Sequence, residues 1–267
     1  TGGTATYTVA LNTEPTATVN VGVTSADTTE GTVSPSSLAF STENWATPQT
    51  VTITGVNDVI DDGDVVYTLV NAAATSADGT YNGLNPDDVS ATNSDNDISG
   101  YTVSAISGNT TEAGVTATFT VALNTEPVAN VSFNLATNDA TEGTAAPSAL
   151  TFTTENWATP QTVTVTGVND DLDDGDVVYS IVTAAASSSD VGYSGLNSSD
   201  VTVTNTDDDV SGFTVSTISG NTTEAGGTGT YSVVLTAEPT ATVTVAVTSN
   251  NTDEGTVSPA QLEFTAV

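Results

Sequence analysis

The sequence predicts an all-β fold, a linear array of tandem antiparallel Greek-key sandwiches, and three observations carry that expectation. Hydrophobic residues alternate with polar ones at a period of two, the period of a strand buried on one face. Turn-forming residues separate the alternating runs into short segments. The whole pattern then returns every 112 residues, the mark of a repeat architecture.

The repeat fixes the organisation. Trp45 returns as Trp157, and Asp61-Asp62-Gly63-Asp64 returns as Asp173-Asp174-Gly175-Asp176. Glu14, Glu30, Tyr67, Tyr81 and Asn93 return as Glu126, Glu142, Tyr179, Tyr193 and Asn205. A third copy begins, with Glu112-Ala113-Gly114 becoming Glu224-Ala225-Gly226 and Phe152 becoming Phe264. The acidic runs Asp95-Asn96-Asp97 and Asp207-Asp208-Asp209 each precede a Ser-Gly and a new alternation, which places units at 1–97, 98–209 and 210–267. Only the middle unit is complete. The first lacks its opening strand, the third is the N-terminal part of a repeat, and the ragged ends suggest a window on a longer array.

In the middle unit the expected strands follow in order. Tyr101 and Val103 open it, then Phe119, Val121 and Leu123 share one face against Thr118, Thr120 and Ala122. Val131/Phe133/Leu135, Leu150/Phe152, Val163/Val165, Val177/Tyr179/Ile181 and Val201/Val203 continue the alternation. Asn124-Thr-Glu-Pro127, Asn138-Asp139, Pro160, Asn169-Asp170 and Gly195 break the runs. About seven short strands at this spacing read as a Greek-key sandwich, and no stretch shows a helical stripe. Phe119, Leu123, Phe133, Phe152, Trp157, Val165, Tyr179 and Val203 are the expected core. Trp157 is assigned to it over a role as a sugar-stacking platform because it lies between two β runs.

Composition narrows the function. Lys, Arg and His are absent, Asp and Glu number 33, and the net charge is −33 at pH 7. No carboxylate has a basic side-chain partner, so each is solvated, bonded to backbone or hydroxyl donors, or held by a cation. Nucleic acid and anionic membrane surfaces are excluded as partners, since nothing positive is present to meet them. No run is long and apolar enough to insert in a membrane in this segment. Cysteine is also absent, which leaves the compartment open on that count.

The acids of the middle unit gather at Glu112, at Asp170-Asp171 with Asp173-Asp174-Gly175-Asp176, and at Asp207-Asp208-Asp209. Each group lies at a strand end or in a loop, and sandwich loops distant in sequence converge at one pole. Such a pole offers six or more hard oxygens, which is the demand of Ca2+, with its six to eight oxygen ligands at about 2.3–2.6 Å. Zinc would require nitrogen or sulfur ligands that the chain lacks. Asp-Gly and Asn-Asp pairs are also ordinary turn residues, and for any one acid that reading is sufficient. The three groups together, without a basic residue to neutralise them, point to metal.

These residues carry a resemblance. TEAGVTATFTVALNTEP at 111–127, PQTVTVTGVNDDLDDGD at 160–176, VVYSIV at 177–182 and VTNTDDD at 203–209 resemble the Calx-beta domain. That domain is the calcium-binding, immunoglobulin-like sandwich of sodium–calcium exchangers and of many large bacterial surface proteins. The resemblance spans the whole repeat. It implies Glu112, Asp170, Asp171, Asp174, Asp176, Asp207, Asp208 and Asp209 as calcium ligands of the middle unit. The family's usual glutamates after the middle acidic pair are replaced here by the shorter DDGD. In the first unit Val59 stands for Asp171 and Asn96 for Asp208, leaving Asp58, Asp62, Asp64, Asp95 and Asp97. The third unit keeps Glu224. Calcium occupancy is therefore expected to differ between repeats.

Two carboxylates are enough for a glycosidase, but no other common catalytic side chain is present and a unique active site would not recur every 112 residues, so no enzyme is expected. The expectation is an extracellular structural protein, a stalk, fibre or cell-surface filament, with calcium at the sandwich ends stiffening the junctions. Its partners would be neighbouring repeats and other copies of itself. The alternative is an adhesin whose repeats, or a separate tip domain, take a glycan or protein ligand. Ice binding by outward Thr rows such as TVTVTGV is weaker, since such rows are ordinary solvent faces. Absence of Lys and Arg removes every trypsin site. The sequons at Asn109, Asn130, Asn197, Asn221 and Asn250 are expected by chance in so Thr-rich a chain. Each unit is expected to add on the order of 40 Å to the array.

Overall fold

A computed structural model describes Gly2 to Ala266; Thr1 and Val267, the outer limits of the expected first and third units, lie outside the described residues. Every regular element among them is a β-strand. The chain forms two compact units, one of Thr1–Gly100 with Leu123–Val128 and one of Tyr101–Ala122 with Ala129–Val267.

The first unit is a two-sheet sandwich. Thr4–Val9, Gln49–Gly55 and Gly31–Ser34 form one antiparallel sheet in that order. Ser37–Phe40, Val19–Ser25, Val65–Asn71 and Val89–Asn93 form the other, with Thr75–Ser76 paired to Val19–Ser25. The period of two decides which residues face inward: Val19, Val21 and Val23 are buried on one strand and meet Leu38, Phe40 and Val51.

The second unit repeats this plan with its opening strands present. One sheet runs Thr110–Thr111, Val201–Thr206, Val177–Thr183, Val131–Thr137, Ala149–Phe152. The other runs Gly143–Ala146, Gln161–Gly167, Thr116–Leu123, Tyr101–Val103. The pairings are antiparallel except at Thr110–Thr111, which lies parallel to Asn205–Thr206. The opening segment therefore pairs with one sheet at Tyr101–Val103 and with the other at Thr110–Thr111. From residue 213 onward two hairpins follow, Phe213–Val215 with Val233–Leu235 and Val243–Ala246 with Gln261–Phe264.

Seven of the eight expected core residues are buried: Phe119, Leu123, Phe133, Phe152, Val165, Tyr179 and Val203. Phe133 sits edge-on to both Tyr101 and Phe152, with ring centroids at 4.5 and 6.0 Å. Trp157 is the correction. It is half-buried in the turn between Ala149–Phe152 and Gln161–Gly167, where its N–H donates to Thr153 O at 3.0 Å. Asn156 Oδ1 caps the same turn by accepting the Thr153 N–H at 2.7 Å. Local hydrogen bonding, which the hydrophobic pattern does not register, fixes the backbone of this turn.

The repeats also differ inside. In the first unit the Tyr7 hydroxyl donates to Asn71 Oδ1 at 2.8 Å. Phe119 and Thr183 occupy the corresponding places in the second unit, and Thr183 Oγ1 is buried without a partner among the described residues.

Candidate metal centre

The carboxylates of the second unit meet at one pole because four separate strand ends do. Glu112 follows Thr110–Thr111, Glu142 precedes Gly143–Ala146, Asp170 and Asp174 lie in the loop after Gln161–Gly167, and Asp207 and Asp209 follow Val201–Thr206. Two groups result. One oxygen each from Glu112, Asp207 and Asp209 lie within 4.8 Å of one another, and so do oxygens of Glu142, Asp170 and Asp174. The first unit builds the counterpart of the second group from Glu30, Asp58 and Asp62.

Backbone donors set these side chains in place. Asp207 accepts the Gly175 N–H at 2.7 Å on one oxygen and the Asp209 N–H at 2.8 Å on the other, which ties the terminal acidic run to the DDGD loop. Gly175 makes this approach with a φ of 80°, a conformation that favours glycine. Asp170 accepts the Leu172 N–H at 2.8 Å. Asp173 accepts the Ser211 N–H at 2.8 Å. The first unit repeats the pattern: Asp95 accepts from Gly63 and Asp97, both at 2.8 Å, and Asp61 accepts from Ser99 at 2.7 Å.

Glu112 and Glu142 are each only 5% exposed although no cation-bearing side chain exists to meet them. Burial, then the negative charges of Asp170, Asp207 and Asp209, push the Glu112 carboxyl up to about 7 against the hydrogen bond from the Asp208 N–H. Burial also raises Glu142, with Asp174, Asp139 and Asp170 adding to the effect and an amide bond from Asn205 at 3.4 Å opposing it. Asp174 and Asp209 are raised by desolvation and by neighbouring carboxylates, and Asp62 likewise in the first unit. Asp95 is held below its usual range by the Asp97 and Gly63 N–H groups. Asp170 is felt by both groups of the second unit, so the pole is one electrostatic system. Three carboxylate oxygens within 4.8 Å of one another, in each group, are hard donors of the kind a divalent cation takes.

The candidates read from sequence divide four ways. Glu112, Asp170, Asp174, Asp207 and Asp209, with Asp58 and Asp62, fall in the three-carboxylate groups. Asp176 and Asp64 instead accept the N–H groups of Asp207 and Asp95 at 3.2 and 3.0 Å, and so brace the pole. Asp171 and Asp208 are exposed beside Asp209, and Asp95 and Asp97 stand together at the end of Val89–Asn93. Glu224 is exposed and belongs to no such group among the described residues.

Glu142 and Glu30 were not among the candidates. The signal was present in their exact 112-residue spacing, shared with Asn93 and Asn205, whose amides donate to Glu30 and Glu142 at 3.1 and 3.4 Å. Gly143 next to Glu142 has a reason too: a Cβ there would overlap the Tyr179 hydroxyl.

No family profile and no curated protein matches the sequence. Among solved structures, the chain is similar to CBD12 from CALX1.2, with 11% identity over 76% of this chain and 93% of that one, at a TM-score of 0.34. It is also similar to the calcium binding domain CBD12 of CALX1.1, with 12% identity over 69% of this chain and 74% of that one, at a TM-score of 0.30.

Proposed function

We propose that this chain is a calcium-binding tandem repeat of an extracellular structural protein, the sandwich poles being the calcium sites. The observation that carries the reading is the meeting of six carboxylates in two groups at one pole of the second unit, two of them 5% exposed, in a chain without a basic side chain. Buried carboxylates without a counter-charge are costly, and a cation offsets that cost. The ligand set proposed is Glu112, Asp170, Asp174, Asp207 and Asp209, extended by Glu142 and, in the first unit, by Glu30, Asp58 and Asp62. Asp171, Asp208, Asp95 and Asp97, which lie outside the three groups, are proposed as further ligands.

Calorimetry of the full chain titrated with calcium chloride tests this, beside a variant with Asp207, Asp208 and Asp209 changed to Asn. Saturable binding is expected, with part of the stoichiometry lost in the variant. Absence of binding in both would end the calcium reading.

The structural role rests on the uniformity of the repeats and on the loop that carries Asp170 and Asp174, which also contacts the segment beyond it. Asp171 O accepts the Glu238 N–H at 2.6 Å, and Leu172 forms a parallel bridge with Glu238. Calcium that orders this loop would stiffen the junction, and the expected setting is a stalk, fibre or surface filament of self-associating chains. Scattering profiles that are identical in calcium and in chelator would refute the stiffening. The glycan- or protein-binding adhesin has no supporting observation in the site.

A further inference from the structure

Three Asp-Gly pairs occur in the chain, Asp62-Gly63, Asp78-Gly79 and Asp174-Gly175. Glycine has no side chain to shield its nitrogen, so an Asp-Gly peptide can close on itself, the glycine nitrogen attacking the aspartate Cγ to form a succinimide. The three pairs share this sequence and differ in what the fold does with them.

Asp78 is 7% exposed and has both carboxylate oxygens engaged, Oδ2 by the Thr16 N–H at 2.7 Å and Oδ1 by the Thr80 N–H at 2.9 Å. These bonds hold its carboxyl at about 2, in the ionised form that resists attack, and swinging Cγ over the Gly79 nitrogen would break both of them. Asp174 is exposed, in the loop between Gln161–Gly167 and Val177–Thr183. The N–H of the following Gly175, which has a φ of 80°, donates to Asp207 Oδ2 at 2.7 Å. The first unit repeats the arrangement: Asp62 is exposed, and the Gly63 N–H donates to Asp95 Oδ2 at 2.8 Å. Asp174 lies in the unit whose opening strands are present and Asp62 far from the last residue, so neither limit of the chain accounts for the exposure of both. The carboxylate on each glycine N–H is the second feature. That proton must leave for the ring to close, and an acceptor within hydrogen-bond reach is placed to take it.

We propose that Asp174-Gly175, and Asp62-Gly63 in the first unit, are sites of spontaneous aspartate isomerisation, with Asp207 and Asp95 as the respective bases, while Asp78-Gly79 is preserved. In the first step the Gly175 nitrogen bonds to Asp174 Cγ. The amide proton passes to Asp207 and on to the hydroxyl that leaves the Asp174 carboxyl as water. Water then adds back to the ring. Opening at the main-chain carbonyl carbon of Asp174 leaves the backbone running through Cβ and Cγ, an isoaspartate of unchanged mass with one more carbon in the backbone. Its free carboxylate now sits on Cα, so Asp174 is lost from the group it forms with Glu142 and Asp170. That consequence for calcium rests on the calcium reading above, whereas the isomerisation does not. Calcium held by Asp174 and Asp207 would slow the reaction, so that the sites retired first are those standing empty.

Incubation of the folded full chain at neutral pH in oxygen-18 water with chelator tests the inference. Each ring opening places a heavy oxygen at the residue concerned, and tandem mass spectrometry of glutamyl-endoproteinase fragments locates it. Label at Asp174 and Asp62 at least ~10-fold above that at Asp78 is expected, and a urea-unfolded sample should label all three alike. Asp207→Asn keeps an oxygen for the Gly175 N–H but no base. With folding checked by circular dichroism, it should slow labelling at Asp174 by ~10-fold or more while Asp62 in the same molecules keeps its rate. Label at Asp78 equal to that at Asp174, or none at Asp174 and Asp62, overturns the proposal, and a rate at Asp174 untouched by Asp207→Asn overturns the part assigned to Asp207. Calorimetry separates the two readings: calcium binding with no label in chelator removes only the isomerisation, and label accruing in a chain that binds no calcium removes only the calcium site.

Discussion

Glu112→Gln should invert its effect on stability when calcium is added. Without metal, the Glu112 carboxyl titrates at about 7 in the folded chain against an ordinary 4.5. Below the lower value it is protonated folded or unfolded and contributes nothing. Between the two the unfolded chain ionises first, so stability falls as pH rises, and above 7 the full penalty stands. At about 1.4 kcal/mol per pH unit the gap gives a penalty of at most about 3.5 kcal/mol. Glutamine carries no charge, so in chelator at pH 7.5 the variant should be more stable by up to that amount, and should lose the decline between pH 4.5 and 7. Calcium in hundredfold excess over its dissociation constant stabilises the parent by about 2.7 kcal/mol. The variant, missing a ligand, should gain much less. Urea titrations followed by Trp157 fluorescence in a Trp45→Phe background report on the second unit. A variant less stable than its parent in chelator, or one that gains equally from calcium, would refute the reasoning.

Other outcomes follow from the same geometry. Glu142→Gln should remove calcium binding at the Glu142/Asp170/Asp174 group while leaving that at Glu112/Asp207/Asp209, read as a loss in calorimetric stoichiometry; unchanged stoichiometry would count against the group. Phe133→Ala removes a buried ring with two edge-on aromatic neighbours and should cost about 3–5 kcal/mol in the second unit by urea titration. Gly143→Ala drives a methyl into the Tyr179 hydroxyl and should cost about 1–3 kcal/mol in the same measurement. In the first unit, Asp78 is held at about 2 by N–H groups of Thr16 and Thr80, at 2.7 and 2.9 Å. A depressed acid stabilises fully above its unfolded value, so that contribution should disappear as pH falls from about 4 through about 2. Asp78→Asn should flatten this part of the acid-unfolding curve, and an unchanged curve would assign the acid sensitivity elsewhere.

The repeat and the inward face of the strands were legible in the sequence because a strand's period of two turns burial directly into pattern. Val131/Phe133/Leu135 and Val177/Tyr179/Ile181 could be read this way, and each of these six side chains faces inward or sits at the sheet margin. Trp157 could not, since side-chain capping by Asn156 decides its turn. The acidic clusters were legible as clusters, being contiguous in sequence.

Which acids meet was decided only by tertiary structure. Glu142 lies 28 residues before Asp170 and far from any acidic run, yet the sheet order brings its strand end beside the DDGD loop. Asp176 lies within that loop and turns instead to the Asp207 backbone. Sequence determines the alternation, the repeat and the charge, because these are properties of neighbours along the chain. The meeting of the carboxylates depends on residues brought together by sheet pairing across long loops, and local sequence holds no record of that distance.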